Sequence, residues 1–305
     1  MLCVIGDIVQ DIVVWLEEEI RHATDTKSTI TITRGGSAAN VAAFAGPRTP
    51  TRFIGCVGDD LAGLALTRDL ESLGVDVKMQ VRGTTGTIVV QIDQSGERNM
   101  FPSRGASGML QPIDQQWLAD VSLLHLTAYS LEVEPTRSSA IAAAQAVRAN
   151  GGKISFDISS VYTIESLGKQ TYLKYMAEIA PDYISANRDE AELLELALND
   201  EPGPGLEQFP QATLLARNGA EATRVFVGGQ LQHVVPVEPA TTIRDLTGAG
   251  DAFNAGFLAS VANGETDLEA SVLAAHRLAR RVLVSPGATE PADVEPSDSD
   301  AEKAS

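Results

Sequence analysis

Short apolar strands alternating with helical patterns predict an α/β fold: a central, mostly parallel sheet flanked by helices on both faces, with a small β-sheet lid. Three observations carry this expectation. The runs Leu2 to Gly6, Arg52 to Val57, Val121 to Leu126, Lys153 to Asp157 and Asp182 to Ala186 are largely apolar rather than alternating, as in strands covered on both faces. Segments with helical character, such as Glu134 to Ala149, lie between them. Two stretches break this rhythm: Thr29-Ile30-Thr31-Ile32-Thr33 alternates with strand period, and Thr87 to Asp93 with Glu97 to Phe101 reads as a hairpin about Gln94-Ser95-Gly96. Together these read as the small β lid, or else as ordinary edge strands.

Along the chain, Leu2 to Gly6 opens the sheet, and Arg34-Gly35-Gly36-Ser37-Ala38-Ala39-Asn40 is a diglycine turn entering a helix of small residues. The strand Asp182 to Ala186 ends at Asn187, where a helix rich in Glu and Leu begins. Asn199 to Gly205 is a surface loop by composition. Phe253, Gly256, Phe257 and Ser260 recur at helical spacing until Asn263-Gly264 stops the helix. Residues 1–290 therefore read as one domain, with lid strands from about 9–34 and 84–102, and residues 291–305 as an acidic, disordered tail. No repeat and no heptad seam interrupts it.

Composition excludes several functions. The 305-residue chain is 44% hydrophobic, enough for a substantial core, and carries a net charge of −18. A surplus of carboxylates argues against nucleic acid or an anionic membrane as partner, since both are gripped by Lys and Arg. Cys3 and Cys56 lie in apolar runs without metal-ligand spacing and read as buried thiols of a reducing compartment. No apolar run approaches the roughly 20 residues that cross a bilayer, and the start enters a strand directly, without a signal-peptide pattern. The expected location is the cytoplasm.

Chemistry concentrates in three segments. In Thr247-Gly248-Ala249-Gly250-Asp251-Ala252 the glycines leave the first-turn N–H groups of an apolar helix uncovered, which makes an anion site with Asp251 beside it. A carboxylate next to a terminal phosphate is what phosphoryl transfer to an alcohol requires. In the diglycine segment, Asn40 offers an amide donor and acceptor, suited either to paired sugar hydroxyls or to a local cap. Asn187 and Glu190 have capping-box spacing, and the same pair can orient phosphate and hydrated Mg²⁺.

In this order and at these separations, the segments resemble the PfkB/ribokinase family of carbohydrate and nucleoside kinases, over nearly the whole chain from Val4-Ile5-Gly6-Asp7 to Ser285-Pro286-Gly287-Ala288. The resemblance implies a ribokinase-like fold and ATP-dependent phosphorylation of a sugar hydroxyl. Asp251 matches the catalytic base, and Gly248, Ala249 and Gly250 match the anion hole. Asp11, Gly35, Gly36 and Asn40 match the sugar contacts, and Asn187 and Glu190 the phosphate and Mg²⁺ motif, with Glu190 acting through water. Asp245 and Thr247 match a monovalent-cation site, so K⁺ is a further expected ion, and Thr247 also borders the nucleotide. His276 matches a residue lining the adenine pocket, or else is a polar residue on an apolar helix. A homodimer through the lid is implied as well.

Two departures stand out. Leu214-Leu215-Ala216-Arg217-Asn218-Gly219 lacks the hydroxyl and first glycine usual before the nucleotide loop, leaving Arg217 and Gly219 as the nucleotide-side candidates. Phe156-Asp157-Ile158-Ser159-Ser160 lacks the Arg that often follows this strand. A ribose- or fructose-like sugar is the first choice of substrate. Asn99 to Ser107 resembles in part the aromatic and Arg segment of 2-keto-3-deoxygluconate kinases, where Arg104 would pair with a carboxylate. A nucleoside acceptor would need an aromatic stack from a chain that is only 5% aromatic. A catalytically silent binding module on the same fold is the alternative of another class.

Overall fold

A computed structural model describes residues 1–291 except Thr241 and Pro286, so all but the first residue of the expected tail lies outside the described residues. The first half contains β1 (Leu2–Ile5), β2 (Val9–Leu16), β3 (Ser28–Gly35), α1 (Ser37–Ala45), β4 (Thr51–Val57), α2 (Leu61–Ser72), β5 (Asp76–Val81), β6 (Gly86–Ile92), β7 (Arg98–Ser103), β8 (Leu123–Thr127) and α3 (Thr136–Ala149). The second half contains β9 (Lys153–Asp157), α4 (Val161–Leu167), α5 (Lys169–Ile179), β10 (Tyr183–Ala186), α6 (Arg188–Leu193), β11 (Ala197–Leu198), β12 (Glu201–Pro202), β13 (Thr213–Asn218), β14 (Glu221–Val227), β15 (Gln230–Val235), α7 (Ala249–Ala262) and α8 (Leu268–Val282).

Nine strands form the main sheet in the order β15-β14-β13-β10-β9-β8-β1-β4-β5, parallel from β13 to β5 and antiparallel at β14 and β15. The lid is a separate sheet, β3-β2-β6-β7. Both agree with the sequence reading, apart from the antiparallel edge, which it lacked. One expected strand shifts: Val121 donates its N–H to Leu118 in a turn, so β8 begins two residues later.

Pleating sends alternate side chains into two cores. Leu2 and Val4 of β1, with Phe53, Leu215 and Val225, pack under α1, α2, α7 and α8. Cys3 and Ile5, with Leu124, Phe156 and Ile184, face α3 and α5. Burial on both sides is why these strands read as apolar runs. The α7–α8 contact is set by Gly256, where a Cβ would lie 2.8 Å from the Ala275 Cα. Since α7 carries the anion site, this spacing fixes where that site stands against the sheet. Gly256→Val should force the helices apart and lower stability by about 1–3 kcal/mol; an unchanged urea midpoint would show that the spacing is set elsewhere.

Candidate active site

Two glycine turns more than two hundred residues apart converge on one carboxylate. The Ser37 hydroxyl donates to Asp251 Oδ1 at 2.6 Å, and the Asn40 amide donates to Asp251 Oδ2 at 2.8 Å. Asn40 Oδ1 accepts from Arg34 in turn, so the whole amide is engaged in holding Asp251. The local-cap alternative for Asn40 is not what forms: α1 is capped from outside by Asp7, whose carboxylate accepts from the N–H groups of Ser37 at 3.1 Å and Ala38 at 3.2 Å. Burial lifts the Asp251 carboxyl to about 7, while the bonds from Ser37 and Asn40 pull it the other way.

Backbone conformation prepares the mouth of α7. Gly248 takes a left-handed conformation, φ 78°, and a Cβ there would sit 2.5 Å from that of Ala288. Ala249 donates its N–H to Leu246, and the N–H groups of Gly248, Gly250 and Asp251 have no protein acceptor among the described residues. Free amides at the positive end of a 14-residue helix bind anions.

Across from this mouth lies the substrate end. Asp11 on β2 packs against Gly35, where a Cβ would come within 2.2 Å of Asp11 Oδ1, and that oxygen is buried without a partner. Burial and the neighbouring Asp7 carboxylate raise Asp11 to about 6, against the pull of Arg34. Gly36, at φ 95°, lets the chain pass 2.6 Å from the Asp7 carbonyl at the point where a Cβ would stand. Arg104 donates to Glu132 at 3.0 Å, approaches Asp7 at 4.0 Å and lies over the Tyr129 ring at 4.6 Å. Its charge is thus already answered by carboxylates.

On the other side of Asp251, Arg217 pairs with Asp157 at 2.9 Å and lies 5.7 Å above the Phe253 ring. Phe253 in turn meets His276 at 5.6 Å, and His276 Nε2 shares a 2.8 Å hydrogen bond with the Thr223 hydroxyl. Burial lowers the His276 pKa. Arg217, Phe253 and His276 therefore make a row leading away from the anion site. Gly219 sits in the turn between β13 and β14 at φ 57°, which accounts for a glycine there without a ligand.

Asn187 and Glu190 form the capping box of α6, each side chain accepting from the other's N–H at 2.9 Å. Glu190 is only 2% exposed, and burial with the Asp157 charge pushes its carboxyl up to about 7. Among the described residues no group of three or more His, Cys, Asp or Glu is placed to hold a metal ion. Asp245 is fully occupied by protein donors. It accepts from the N–H and hydroxyl of Thr247, from the Gly287 N–H and from Arg98 of the lid, the last at 2.8 Å. Against the upward push of burial, the N–H bonds from Thr247 and Gly287 hold its carboxyl at about 2.

Sequence reasoning missed Ser37, Asp7, Asp157 and the Arg98 contact. Ser37 had a signal, since it opens the helix that carries Asn40. The other three become visible only once distant strands are neighbours.

A parallel sheet with a β lid, uncovered amides at a helix mouth and a carboxylate beside them define a phosphotransferase with an alcohol acceptor. The profile of the pfkB family carbohydrate kinases matches residues 1–295. A fructokinase from Klebsiella pneumoniae is 34% identical over 240 residues, covering 75% of this chain and 76% of the relative. An ATP-dependent ribose-1-phosphate kinase from Halopiger xanaduensis is 33% identical over 235 residues, covering 74% and 72%. A solved structure described as ribokinase II from E. coli, in complex with ATP and Mg²⁺, superposes with a TM-score of 0.81 at 22% identity, covering 94% of each chain. The chain belongs to the PfkB family of carbohydrate kinases. Among the described residues, no helix is long and apolar enough to cross a membrane.

Asp251 can accept a proton only when ionised, so kcat/KM should rise with pH through about 7, where burial places its carboxyl. Asn40→Ala removes a donor that favours the charged form, and its pH–rate limb should move to higher pH. A limb below pH 5 in the unaltered protein would exclude Asp251 as the titrating base.

Proposed function

We propose that this protein transfers the γ-phosphoryl group of ATP to a hydroxyl of a ribose- or fructose-like sugar, with Asp251 as general base and the Gly248 to Asp251 backbone as anion hole. One observation supports this above others: Asp251 joins the two glycine turns through Ser37 and Asn40, beside amides that lack acceptors. A sugar hydroxyl donates to Asp251 beside the Ser37 hydroxyl, gives up its proton and attacks the γ-phosphorus in line. The N–H groups of Gly248, Gly250 and Asp251 meet the charge gathering on the phosphoryl oxygens, whereas Ala249, expected in the anion hole, has its N–H committed to Leu246. Asp11, with its unpartnered oxygen, accepts from further sugar hydroxyls, and the Gly35-Gly36 backbone brings the sugar close. Asn40 acts chiefly by holding Asp251.

The nucleotide lies along Arg217, Phe253 and His276, with Thr247, Asn187 and Gly219 bordering its path. Bound Mg²⁺ neutralises phosphate charge, and Asn187 and Glu190 are the residues proposed to orient its waters. K⁺ at Asp245 and Thr247 has to displace Arg98 from the carboxylate, which makes it the less favoured ion.

Charge selects the acceptor. Asp7 and Glu132 answer the charge of Arg104, and Asp69 and Asn40 engage Arg34 beside Asp11, so these two cations offer no positive surplus for a sugar acid or sugar phosphate. An uncharged sugar suits this end. The two buried thiols, Cys3 and Cys56, are consistent with a cytoplasmic location.

Asp251→Asn should reduce kcat by about 10²–10⁴ while leaving ATP affinity within a few-fold; a variant that turns over normally in an ADP-release assay would remove Asp251 from this role. In the lid, Ile32, Ile12, Val89 and Phe101 are cross-strand neighbours in one row, and Ile30, Ile32 and Phe101 are exposed. This apolar face is proposed to pair with that of a second copy. Ile32→Lys with Phe101→Glu should convert a dimer into a monomer in light scattering, and a protein that is monomeric before substitution rules the pairing out.

A further inference from the structure

The pairing register between β13 and β14 shifts between Ala216 and Asn218, so Arg217 stands at an irregularity of the ladder. Such irregularities re-aim a side chain. Here the guanidinium turns inward and is largely buried, at 15% exposure, against the mouth of α7. A Cβ on Gly250 would lie 2.6 Å from Arg217 Nη1, so the guanidinium takes up the space that any larger residue would fill. Its charge is held by Asp157, itself 5% exposed, through a single Nη2 to Oδ1 bond of 2.9 Å, and its face is covered by Phe253. Arg217 Nε is buried with no acceptor. A guanidinium is a fork of five donors, and burying one without an acceptor costs free energy that a ligand oxygen would recover. The unmet donor lies on the group that abuts the unpartnered amides of the anion site.

We propose that Arg217 is a catalytic cation, which donates to the oxygens of the transferring phosphoryl group, and that Asp157 is the positioning residue that keeps it aimed at Gly250. This rests on the reading of the site as a sugar kinase. In the step it serves, the bond from the acceptor oxygen to the γ-phosphorus forms as the bond from that phosphorus to the β–γ bridging oxygen breaks. ADP leaves with the electron pair, the acceptor's proton passes to Asp251, and Arg217 keeps all its protons. Because the charge on the phosphoryl oxygens and the bridging oxygen is redistributed during transfer, a fork held rigidly beside them favours the transition state over bound ATP. Lys carries the charge without the fork, so it should replace Arg217 only in part.

The test compares Arg217→Met, Arg217→Lys and Asp157→Asn with the unaltered protein. Steady-state kinetics with ribose or fructose is measured beside binding of ADP alone and of ADP with aluminium fluoride, which imitates the planar phosphoryl group. Arg217→Met should lower kcat by about 10²–10³, as for loss of one transition-state donor. The KM for sugar and the affinity for ADP should stay within a few-fold. It should also lose the extra affinity conferred by aluminium fluoride. Arg217→Lys should recover part of kcat, and added guanidinium at millimolar concentration should partly rescue Arg217→Met. Asp157→Asn should lower kcat less than Arg217→Met, with ADP affinity kept. Unchanged kcat in Arg217→Met, or a loss of turnover that follows the loss of ADP binding, overturns the role. Silence of the unaltered protein toward every sugar sinks the kinase reading instead, and the aluminium fluoride measurement still reports on Arg217, with equal affinity in the variant overturning it.

Discussion

The proposed active site depends on a pair of hydrogen bonds to one carboxylate. Ser37 and Asn40 on α1 hold Asp251 on α7, and neither helix alone contains a site. The two helices pack on the same face of the sheet, in the core that also takes α8, and so the distance between them is set by apolar packing rather than by the polar contact itself. Interiors packed at crystal-like density transmit small displacements, so the bonds to Asp251 report directly on the core beneath. The sheet and its helices supply rigidity, and the glycines at the two helix mouths supply the openness that chemistry needs.

The lid enters the site by two routes. Gly35, at the end of β3, runs directly into α1, so the strand that carries the exposed Ile30 and Ile32 is continuous with the helix that holds Asp251. At the far edge, Arg98 of β7 reaches Asp245, two residues before Thr247 in the segment that leads to the anion site. Lid position and anion-site geometry are therefore linked at both ends of the small sheet. These two connections are how the small sheet and the mouth of α7 bear on each other.

Much of this was legible in the sequence, and for a definite reason. The strands β1, β4, β8, β9 and β10 declare themselves because burial on both faces leaves them apolar. The mouth of α7 declares itself because glycine is the residue that tolerates φ 78° against Ala288. The antiparallel edge was not legible. β14 and β15 are half exposed, so their apolar residues are interrupted by Glu, Arg and Gln, and no simple period survives. Nor were the ion pairs. Asp157 and Arg217 are 60 residues apart, and each taken locally is only a departure from the family pattern. The fold makes them a pair: the strand that lacks its usual Arg and the strand that gains an unusual one are joined across β10, and the second supplies the cation facing the first.

Charge distribution explains how so acidic a protein can hold ATP. Asp7, Asp11, Asp157, Glu190 and Asp251 crowd the cleft, and desolvation pushes Asp11, Glu190 and Asp251 toward their neutral forms. The cations present are already spoken for: Arg34 by Asp69 and Asn40, Arg104 by Glu132, Arg98 by Asp245. A phosphate drawn by net charge would find nothing here. What remains with donor capacity to spare is local, namely the amides of Gly248, Gly250 and Asp251 and the free edge of Arg217. An anion is therefore attracted to one spot and repelled from the rest of the cleft. In the proposed function, the same electrostatics that admits a nucleotide's terminal phosphate at the mouth of α7 turns a charged acceptor away from Asp11, and leaves the neutral hydroxyls of a sugar as the partners that fit.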